Sequence, residues 1–221
     1  IYKFHIGEGG QLLDPQGVRH SPRDLVQGMS RGNGYIIEEC LYNHPELQAL
    51  NPTSLNTCRV VTLVNLEGGC RILFATARFG RAGAVTDNWS AGGVAVGIDL
   101  ATGTMGRGLL LPQFGGEGRD SHPDSGVAFV GKVLPHWAEA MVLVKRAALT
   151  LPWCNGVGWD VAITPTGPML VEGNGQWNPS IGQAFTGGLL TSQLRQELAQ
   201  LGVKLPSWGM ASLAKSISKK G

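Results

Sequence analysis

Residues 158–174 read GWDVAITPTGPMLVEGN, and this stretch predicts a β-hairpin. Two apolar runs flank Pro165-Thr166-Gly167, where Pro favours the first turn position and Gly accepts the left-handed conformation that closes a three-residue loop. Pro168 is compatible with the first position of the returning strand. We therefore expect two antiparallel strands joined by a tight turn centred on Thr166.

Three polar side chains are expected on one face of this hairpin. A turn centred on Thr166 sets Asp160 directly opposite Glu172, and Asn174 shares their face. Adjacent carboxylates repel each other unless a cation or proton lies between them. Oxygen ligands suit Mg²⁺, so Asp160, Glu172 and Asn174 are candidate metal ligands. A two-residue loop would instead put the two acids on opposite faces, and the alternative to a metal site is a polar edge facing solvent.

A second predicted hairpin carries two arginines. Strands are expected over 59–64 and 71–78, with Gly68-Gly69 as a two-residue turn. In that register Arg59 lies opposite Arg78, which is unfavourable unless an anion or acids lie between them. A triphosphate is such an anion. The alternatives are that each arginine pairs with a surface acid, or that the register differs.

Composition excludes several classes of protein. Of 221 residues, 43% are hydrophobic and 15% are charged, which is typical of one large domain or two small lobes and not of a disordered chain. A net charge of +2 predicts no broad attraction to nucleic acid or to membranes, and no membrane-spanning run or signal peptide is evident.

The cysteines and the first residue also bear on the kind of protein. The four cysteines have neither CxxC spacing nor a disulfide framework, so we expect reduced, mostly buried thiols in a cytoplasmic protein. Because the sequence begins with Ile1 inside an apparent strand, we expect a fragment of a longer chain.

The remaining pattern predicts an α+β protein built on antiparallel hairpins. Helices are expected at 21–29, 135–149 and 189–201, the second with Trp137, Met141, Val144 and Ala148 on one face. Further strands are expected at 1–4, 35–38 and 94–100, the second of them buried. Residues 43–56 are expected to form a polar loop, and residues 103–131 an irregular stretch.

Several motifs together resemble one known family. Gly-Trp-Asp followed by a short turn and Val-Glu-Gly-Asn is similar to the C-terminal signature of the ATP-grasp superfamily. Four further motifs resemble the sugar-transfer-associated ATP-grasp family, which is related to alpha-L-glutamate ligases. They are NPTSLNTCRVVT at 51–62, DNWSAGG at 87–93, VGIDLATG at 96–103 and HPDSG at 122–126. They occur in the family's order, and the resemblance covers about residues 3–179.

The resemblance implies an ATP-grasp fold, in which antiparallel sheets of two lobes hold ATP between them. Residues 1–42 would be the remainder of an incomplete N-terminal lobe, and residues 43–221 the C-terminal lobe with the metal and phosphate site. The family's first phosphate-binding lysine usually lies further upstream than this sequence extends.

The resemblance also implies a set of cofactor-binding residues. Lys3 precedes a glycine loop at 7–10 whose backbone N–H groups can cradle phosphate. Residues 36–41 resemble the hinge that meets adenine, and the resemblance places Glu38 there better than Glu39, which is equally compatible with the surface end of a strand. The cofactor-binding candidates are Lys3, Gly9, Gly10, Glu38, Glu39 and Leu41.

Catalytic and substrate residues are implied in the same way. Arg59, Arg78 and Asn88 resemble family residues near the phosphates. His122 and Asp124 are candidates to reach the acceptor substrate. The alternative for these two is a surface turn in which Asp124 hydrogen-bonds its own backbone.

The activity implied is that of a Mg-ATP-dependent ligase. A substrate carboxylate would attack the γ-phosphate to give an acyl phosphate, and an amine would displace phosphate to give an amide. The expected cofactors are ATP and Mg²⁺, and the expected partner is a small-molecule, glycan-linked or peptide substrate, as in polysaccharide biosynthesis, with neither nucleic acid nor membrane insertion. The alternatives are a kinase acting on a hydroxyl and a non-catalytic nucleotide- or glycan-binding module.

Overall fold

The structure is a computed structural model that describes residues 4–28, 36–81 and 83–205. The chain divides into two compact units, Ile1–Tyr42 and Asn43–Gly221.

The first unit contains a small antiparallel sheet of order β1-β2-β3 and one helix. Its elements are β1 (His5–Ile6), β2 (Leu12–Leu13), β3 (Arg19–His20) and α1 (Pro22–Gly28), with a 3₁₀ turn at Glu8–Gly10. The helix begins after Ser21, as predicted.

The predicted buried strand at 35–38 is wrong over the described residues. Ile36 and Ile37 are 84% and 87% exposed, and residues 36–38 form no strand. A strand needs a ladder partner for its backbone groups, and within the described part of the chain these residues have none. Of the predicted strand at 1–4, only Phe4 is described, and it lies outside β1.

A seven-stranded antiparallel sheet forms the centre of the second unit. Its strands are β4 (Thr57–Val64), β5 (Cys70–Phe79), β6 (Val94–Ile98), β7 (Met105–Leu109), β8 (Gly118–Arg119), β9 (Gly156–Thr164) and β10 (Gly167–Asn174). Their order is β10-β9-β4-β5-β6-β7-β8. Most of β4, β5 and β9 is buried, because both faces of the sheet are covered.

Helices cover the two faces of this sheet. They are α2 (Pro45–Leu50), α3 (Trp137–Leu149), α4 (Ser180–Thr186) and α5 (Ser192–Gln200). The first face packs against α2 and α3 around Phe79, Val96 and Trp159. The second face carries Val61 and Phe74, which pack with residues of α4 and α5. Each buried side chain of this size contributes about 1.5–3 kcal/mol relative to an exposed one.

Several predicted elements differ from those in the structure. The expected loop at 43–56 contains α2, whose Leu47 and Leu50 are buried. The stretch expected to be irregular at 103–131 contains β7 and β8, and α4 was not predicted. The predicted helices at 135–149 and 189–201 are present with shorter bounds, and Met141 packs against the same core as Trp137, Val144 and Ala148, as predicted.

The predicted register of the β4–β5 hairpin is wrong. Val64 pairs with Cys70, so the turn spans residues 65–69, and a bulge lies further along the ladder. The turn is longer because Asn65 Oδ1 accepts hydrogen bonds from two backbone N–H groups within it. As a result Arg59 lies opposite Thr76, and the two arginines do not face each other.

The β9–β10 hairpin reaches the predicted pairing by another route. Thr164 pairs with Gly167, so the loop has two residues and not the expected three. A β-bulge at Val171 then adds the missing residue, and Glu172 pairs with Asp160. The predicted pairing of the two acids is therefore confirmed, although its expected cause is not.

Candidate functional site

Asp160, Glu172 and Asn174 share one face of the sheet. Asp160 lies directly opposite Arg59 on β4 and bonds to it, so both side chains are on the second face. A Cβ on Gly173 would lie 3.0 Å from the Trp159 ring, which is on the first face. Its neighbours Glu172 and Asn174 therefore point to the second face, as successive side chains alternate.

The amide of Asn174 links these residues. Its Nδ2 donates to Glu172 Oε1 at 2.8 Å and to Gly158 O at 3.4 Å. Because the amide nitrogen is engaged in this way, the Asn174 Oδ1 is the atom left to act as an acceptor or ligand. Two carboxylates and one amide oxygen thus lie on one side of the β-ribbon.

Two guanidinium groups converge on Asp160. Arg59 donates from Nε to Oδ1 at 2.5 Å and from Nη2 to Oδ2 at 3.0 Å, and Arg78 Nη2 lies 2.9 Å from Oδ2. Burial acts to raise the pKa of Asp160, but the hydrogen bond from Arg59 and the charge of Arg78 outweigh it, so this pKa is lowered. Asp160 is therefore ionised at neutral pH although it is only 6% exposed.

A second buried acid supports Arg78 from the other side. Asp87 Oδ2 accepts hydrogen bonds from Thr57 N at 2.8 Å and from Thr57 Oγ1 at 2.6 Å, and it lies 3.6 Å from Arg78 Nε. Burial raises the pKa of Asp87, while Arg78 and Thr57 partly oppose this. The sequence reasoning missed Thr57 and Asp87, although Asp87 opens the DNWSAGG motif.

The donor set fits a divalent cation. Within the cluster the acidic side chains of Asp87, Asp160 and Glu172 outnumber the guanidinium groups of Arg59 and Arg78. No group of three or more His, Cys, Asp or Glu side chains among the described residues is placed to hold a metal. A cation here would therefore rely on the Asn174 amide oxygen and on water or phosphate oxygens, which is typical of Mg²⁺.

Asn88 follows Asp87 at the start of a short 3₁₀ turn. Its carbonyl accepts hydrogen bonds from the N–H groups of Ala91 and Gly93, and its side chain is exposed and makes no capping bond. Its expected role near phosphate stays a prediction.

His122 is placed differently from expectation. It is 1% exposed and contacts the rings of Phe79 and Phe129 edge-on. Its Nδ1 accepts from the backbone N–H groups of Asp124 and Ser125, so the proton is on Nε2, which lies 2.8 Å from Gly80 O. The ring is thus a structural element of the core, and the structure does not present it to a substrate.

Asp124 is more accessible than His122. Its Oδ1 lies 3.6 Å from Arg81 Nη2, and about a quarter of its side chain is exposed. In this turn the backbone N–H of Asp124 donates to the His122 ring. Its contact with an acceptor substrate stays a prediction.

The first unit carries the candidates for nucleotide binding. Gly9 and Gly10 each have a φ of 76°, which only glycine adopts readily, and both are exposed. Glu38 and Glu39 are exposed, and Leu41 is partly buried. Lys3 lies outside the described residues. The nucleotide-binding roles of all six stay predictions.

A buried network of amide side chains leads into β4. Asn43 Nδ2 donates to Ser54 O at 2.7 Å, and Asn43 Oδ1 accepts from Asn56 N at 2.8 Å. Asn51 Nδ2 donates to Ser54 Oγ at 2.8 Å. Three of these four residues, Asn51, Ser54 and Asn56, belong to the NPTSLN motif. That motif entered the sequence analysis only as part of the family resemblance. The network fixes the backbone just before Thr57 and Arg59.

The comparisons with known proteins identify one family. A family model described as sugar-transfer associated ATP-grasp matches residues 24–197, more than three quarters of the chain. The comparisons with curated proteins and with solved structures give no significant match. None of the helices in the described part of the chain is long and apolar enough to cross a membrane.

Proposed function

The chain belongs to the sugar-transfer associated ATP-grasp family, and on this premise we propose that it is a Mg-ATP-dependent carboxylate–amine ligase. Family membership and the antiparallel sheet make the fold an α+β ATP-grasp fold, and they support ATP-dependent activity of the ligase or kinase type in general. The amide-forming reaction and its substrate are the finer proposal.

One observation carries the proposal most directly. Three oxygen donors, from Asp160, Glu172 and Asn174, share a face with two guanidinium groups that meet at Asp160. A site that handles a metal triphosphate needs both kinds of group, since oxygens ligate the cation and guanidinium binds phosphate.

Different residues would bind the metal and stabilise the phosphates. Bound Mg²⁺ at Asp160, Glu172 and Asn174 would neutralise and orient the phosphates. Arg59 and Arg78 would stabilise negative charge on the transferred phosphoryl group through N–H groups beyond those that bind Asp160. In both guanidinium groups Nη1 makes no hydrogen bond within the described part of the chain.

The proposed reaction has two steps. The carboxylate oxygen of the substrate attacks the γ-phosphorus of ATP, the bond to the β-phosphate oxygen breaks, and ADP leaves. The amine of a second substrate then attacks the acyl carbon, inorganic phosphate leaves, and the amine loses a proton. The description of the family favours an acceptor that is sugar-linked, and we extend the proposal to glycan-linked or peptide carboxylates.

The experiment follows the carboxylate oxygen. With an ¹⁸O-labelled carboxylate substrate, a ligase transfers one ¹⁸O to inorganic phosphate, and hydroxylamine captures the acyl phosphate as a hydroxamate. Glu172→Gln should abolish both signals, while Glu67→Gln, in an exposed turn, should leave both intact. A phosphoester product would identify a kinase instead. Mg-dependent nucleotide binding with no turnover on any acceptor would favour a non-catalytic module.

A further inference from the structure

Thr57 joins Arg78 to the buried acid Asp87. Its Oγ1 accepts from Arg78 Nε at 3.2 Å and from Arg78 Nη2. The same oxygen lies 2.6 Å from Asp87 Oδ2. Thr57, Arg78 and Asp87 are each at most 9% exposed, so water competes little for these hydrogen bonds.

The chemistry of the hydroxyl group fixes the direction of each bond. A threonine has one hydroxyl hydrogen and two lone pairs. The carboxylate of Asp87 can only accept, so the hydroxyl hydrogen goes to Asp87 and the lone pairs remain for the Arg78 N–H groups. The direct distance between Arg78 Nε and Asp87 is 3.6 Å, which is too long for a hydrogen bond. Asp87 is therefore joined to Arg78 by hydrogen bonds through Thr57, in addition to the direct attraction between the two charges.

Asp87 also holds a segment of loop in place. Its Oδ2 accepts from the backbone N–H of Thr57 at 2.8 Å, which ties the loop after β5 to the first residue of β4. Asn88, the next residue, resembles a family residue near the phosphates. The Asp87 carboxylate thus fixes one side of the Arg78 guanidinium through Thr57. It also fixes the chain immediately before Asn88.

We propose that Thr57 and Asp87 are positioning residues that hold the Arg78 guanidinium in the orientation needed at the transferred phosphoryl group. This inference rests on the proposed function for the role of Arg78, but the hydrogen-bonded chain itself can be tested without nucleotide. An arginine side chain has several rotatable bonds, and fixing one end of its guanidinium in advance directs its other N–H groups.

Two substitutions at one position separate the hydroxyl from the shape of the side chain. Thr57→Val keeps the branched shape but removes the hydroxyl, and Thr57→Ser restores the hydroxyl without the methyl. Thr62→Val is the matched control, because Thr62 is a buried threonine of the same strand on the first face, where its Oγ1 accepts from Trp159 Nε1. Thermal unfolding of each variant establishes that it folds.

The first measurement is made on the ligand-free chain. In ¹H–¹⁵N spectra of the arginine Nε–H groups, the Arg78 signal should exchange slowly with water in the unmodified chain, in Thr57→Ser and in Thr62→Val. It should exchange at least about tenfold faster in Thr57→Val, since a hydrogen bond from a charged donor is lost. An Arg78 signal that is unchanged in Thr57→Val would overturn the inference.

The second measurement uses ATP turnover and ADP binding. In Thr57→Val we expect kcat to fall about 10- to 100-fold, because Arg78 acts on the transferred group. The ADP dissociation constant should stay within about twofold, since ADP lacks that group, whereas a collapsed site would weaken ADP as well. Thr57→Ser should recover most of kcat.

Unchanged kcat in Thr57→Val, or equal loss of kcat and ADP affinity, would overturn the positioning role. A wild-type chain that neither binds nor turns over Mg-ATP would refute the proposed function, while the Nε–H exchange would still decide whether Thr57 holds Arg78.

Discussion

Asp160 combines two properties that rarely coincide in a buried acid. It is nearly inaccessible to solvent, yet two arginines lower its pKa below the ordinary value of 3.8. Breaking a buried ion pair by removing one partner costs more than the pair itself contributes, because the other charge is left without compensation. Asp160 is therefore expected to matter for folding as well as for the proposed metal.

Asp160→Asn should lower the free energy of unfolding at neutral pH by about 3–5 kcal/mol, because Arg59 and Arg78 lose their shared anion. The effect should depend on pH. A lowered native pKa means that the stabilisation is complete above the unfolded-state pKa of about 3.9 and is lost as the pH falls towards the native pKa. Urea unfolding of both proteins from pH 7 to pH 3 measures this difference.

The pKa of Asp87 also responds to Asp160. Burial raises the pKa of Asp87 and the Asp160 charge adds to the rise, so the titration of Asp87 differs between the two proteins, and the same comparison in an Asp87→Asn background removes its contribution. A difference between the two proteins that stayed constant down to pH 3 would show that the native pKa of Asp160 is not lowered.

His122 gives a prediction that separates structure from substrate binding. His122→Phe removes both ring nitrogens and leaves Gly80 O, in the core, without its partner. We expect a loss of about 1–3 kcal/mol of stability with little change in the KM for the acceptor. Chemical unfolding and steady-state kinetics on the folded variant measure the two quantities. A large rise in acceptor KM in a stable variant would support the original expectation that His122 contacts substrate.

At the scale of the element, β9 shows how glycine makes room for the site. A Cβ on Gly158 would lie 2.8 Å from Trp177 Cβ and 3.3 Å from Arg59 Cδ, closer than side chains normally approach. A Cβ on Gly156, two residues earlier on the same face, would lie 3.5 Å from Trp177 Nε1, an ordinary contact. These two glycines form a matched pair.

Gly158→Ala should therefore lower stability by about 1–3 kcal/mol and reduce turnover, because Trp177 and Arg59 must move. Gly156→Ala should fold and act almost as the unmodified chain does. Thermal unfolding and initial rates of ATP turnover on both variants provide the comparison. Equal effects of the two substitutions would mean that Trp177 and Arg59 do not restrict this face.

The strands were the most predictable elements. Runs such as Val-Val-Thr-Leu-Val in β4 and Trp-Asp-Val-Ala-Ile in β9 carry enough apolar and β-branched residues to indicate buried strands. β7, with the sequence Met-Gly-Arg-Gly-Leu, has two glycines in five residues and gives no such signal. Ile36-Ile37 gives the signal without a strand, because apolar character does not supply a ladder partner.

Register was less predictable than the strands themselves. The β4–β5 ladder contains a bulge and a five-residue turn, and the β9–β10 ladder contains a bulge that offsets a shorter turn. A bulge depends on packing between strands and not on local composition, so a sequence pattern does not locate it. Asp160 and Glu172 paired as predicted because the bulge and the shorter loop cancelled. Arg59 and Arg78 did not, because their hairpin had no such cancellation.

In the candidate site, only the pairing of Asp160 with Glu172 and their shared face with Asn174 were predictable from the sequence. Paired acids on a hairpin indicate a cation from the sequence alone, since their repulsion is a local property. Thr57 and Asp87 are 30 residues apart and meet only in the folded sheet. Their contact depends on the long loop between β5 and β6, which local patterns do not specify.

At the scale of the whole molecule, the two faces of the seven-stranded sheet have different tasks. The first face is almost entirely apolar and packs against α2 and α3. The second face is apolar where α4 and α5 cover it, and it carries the charged cluster at Arg59, Arg78 and Asp160. Ion pairs between the arginines and Asp160 stabilise this cluster. A ligand whose charges complement those of the cluster would stabilise it further.

Ligand binding to the folded chain should therefore raise its thermal stability in a metal-dependent way. ADP at about 100 times its dissociation constant stabilises a protein by about 2.7 kcal/mol, which corresponds to an increase in Tm of roughly 5–10 °C for a chain of this length. We expect this increase with ADP and Mg²⁺ together, and a much smaller one when EDTA removes the metal.

In Glu172→Gln one of the two proposed carboxylate ligands becomes neutral, so the metal-dependent part of the increase should disappear, whereas Glu67→Gln should retain it. Differential scanning fluorimetry on the three proteins measures these shifts. An equal shift in Glu172→Gln and in the unmodified chain would mean that the cation binds elsewhere, because a lost ligand charge at the hairpin would then have no effect on the bound metal nucleotide.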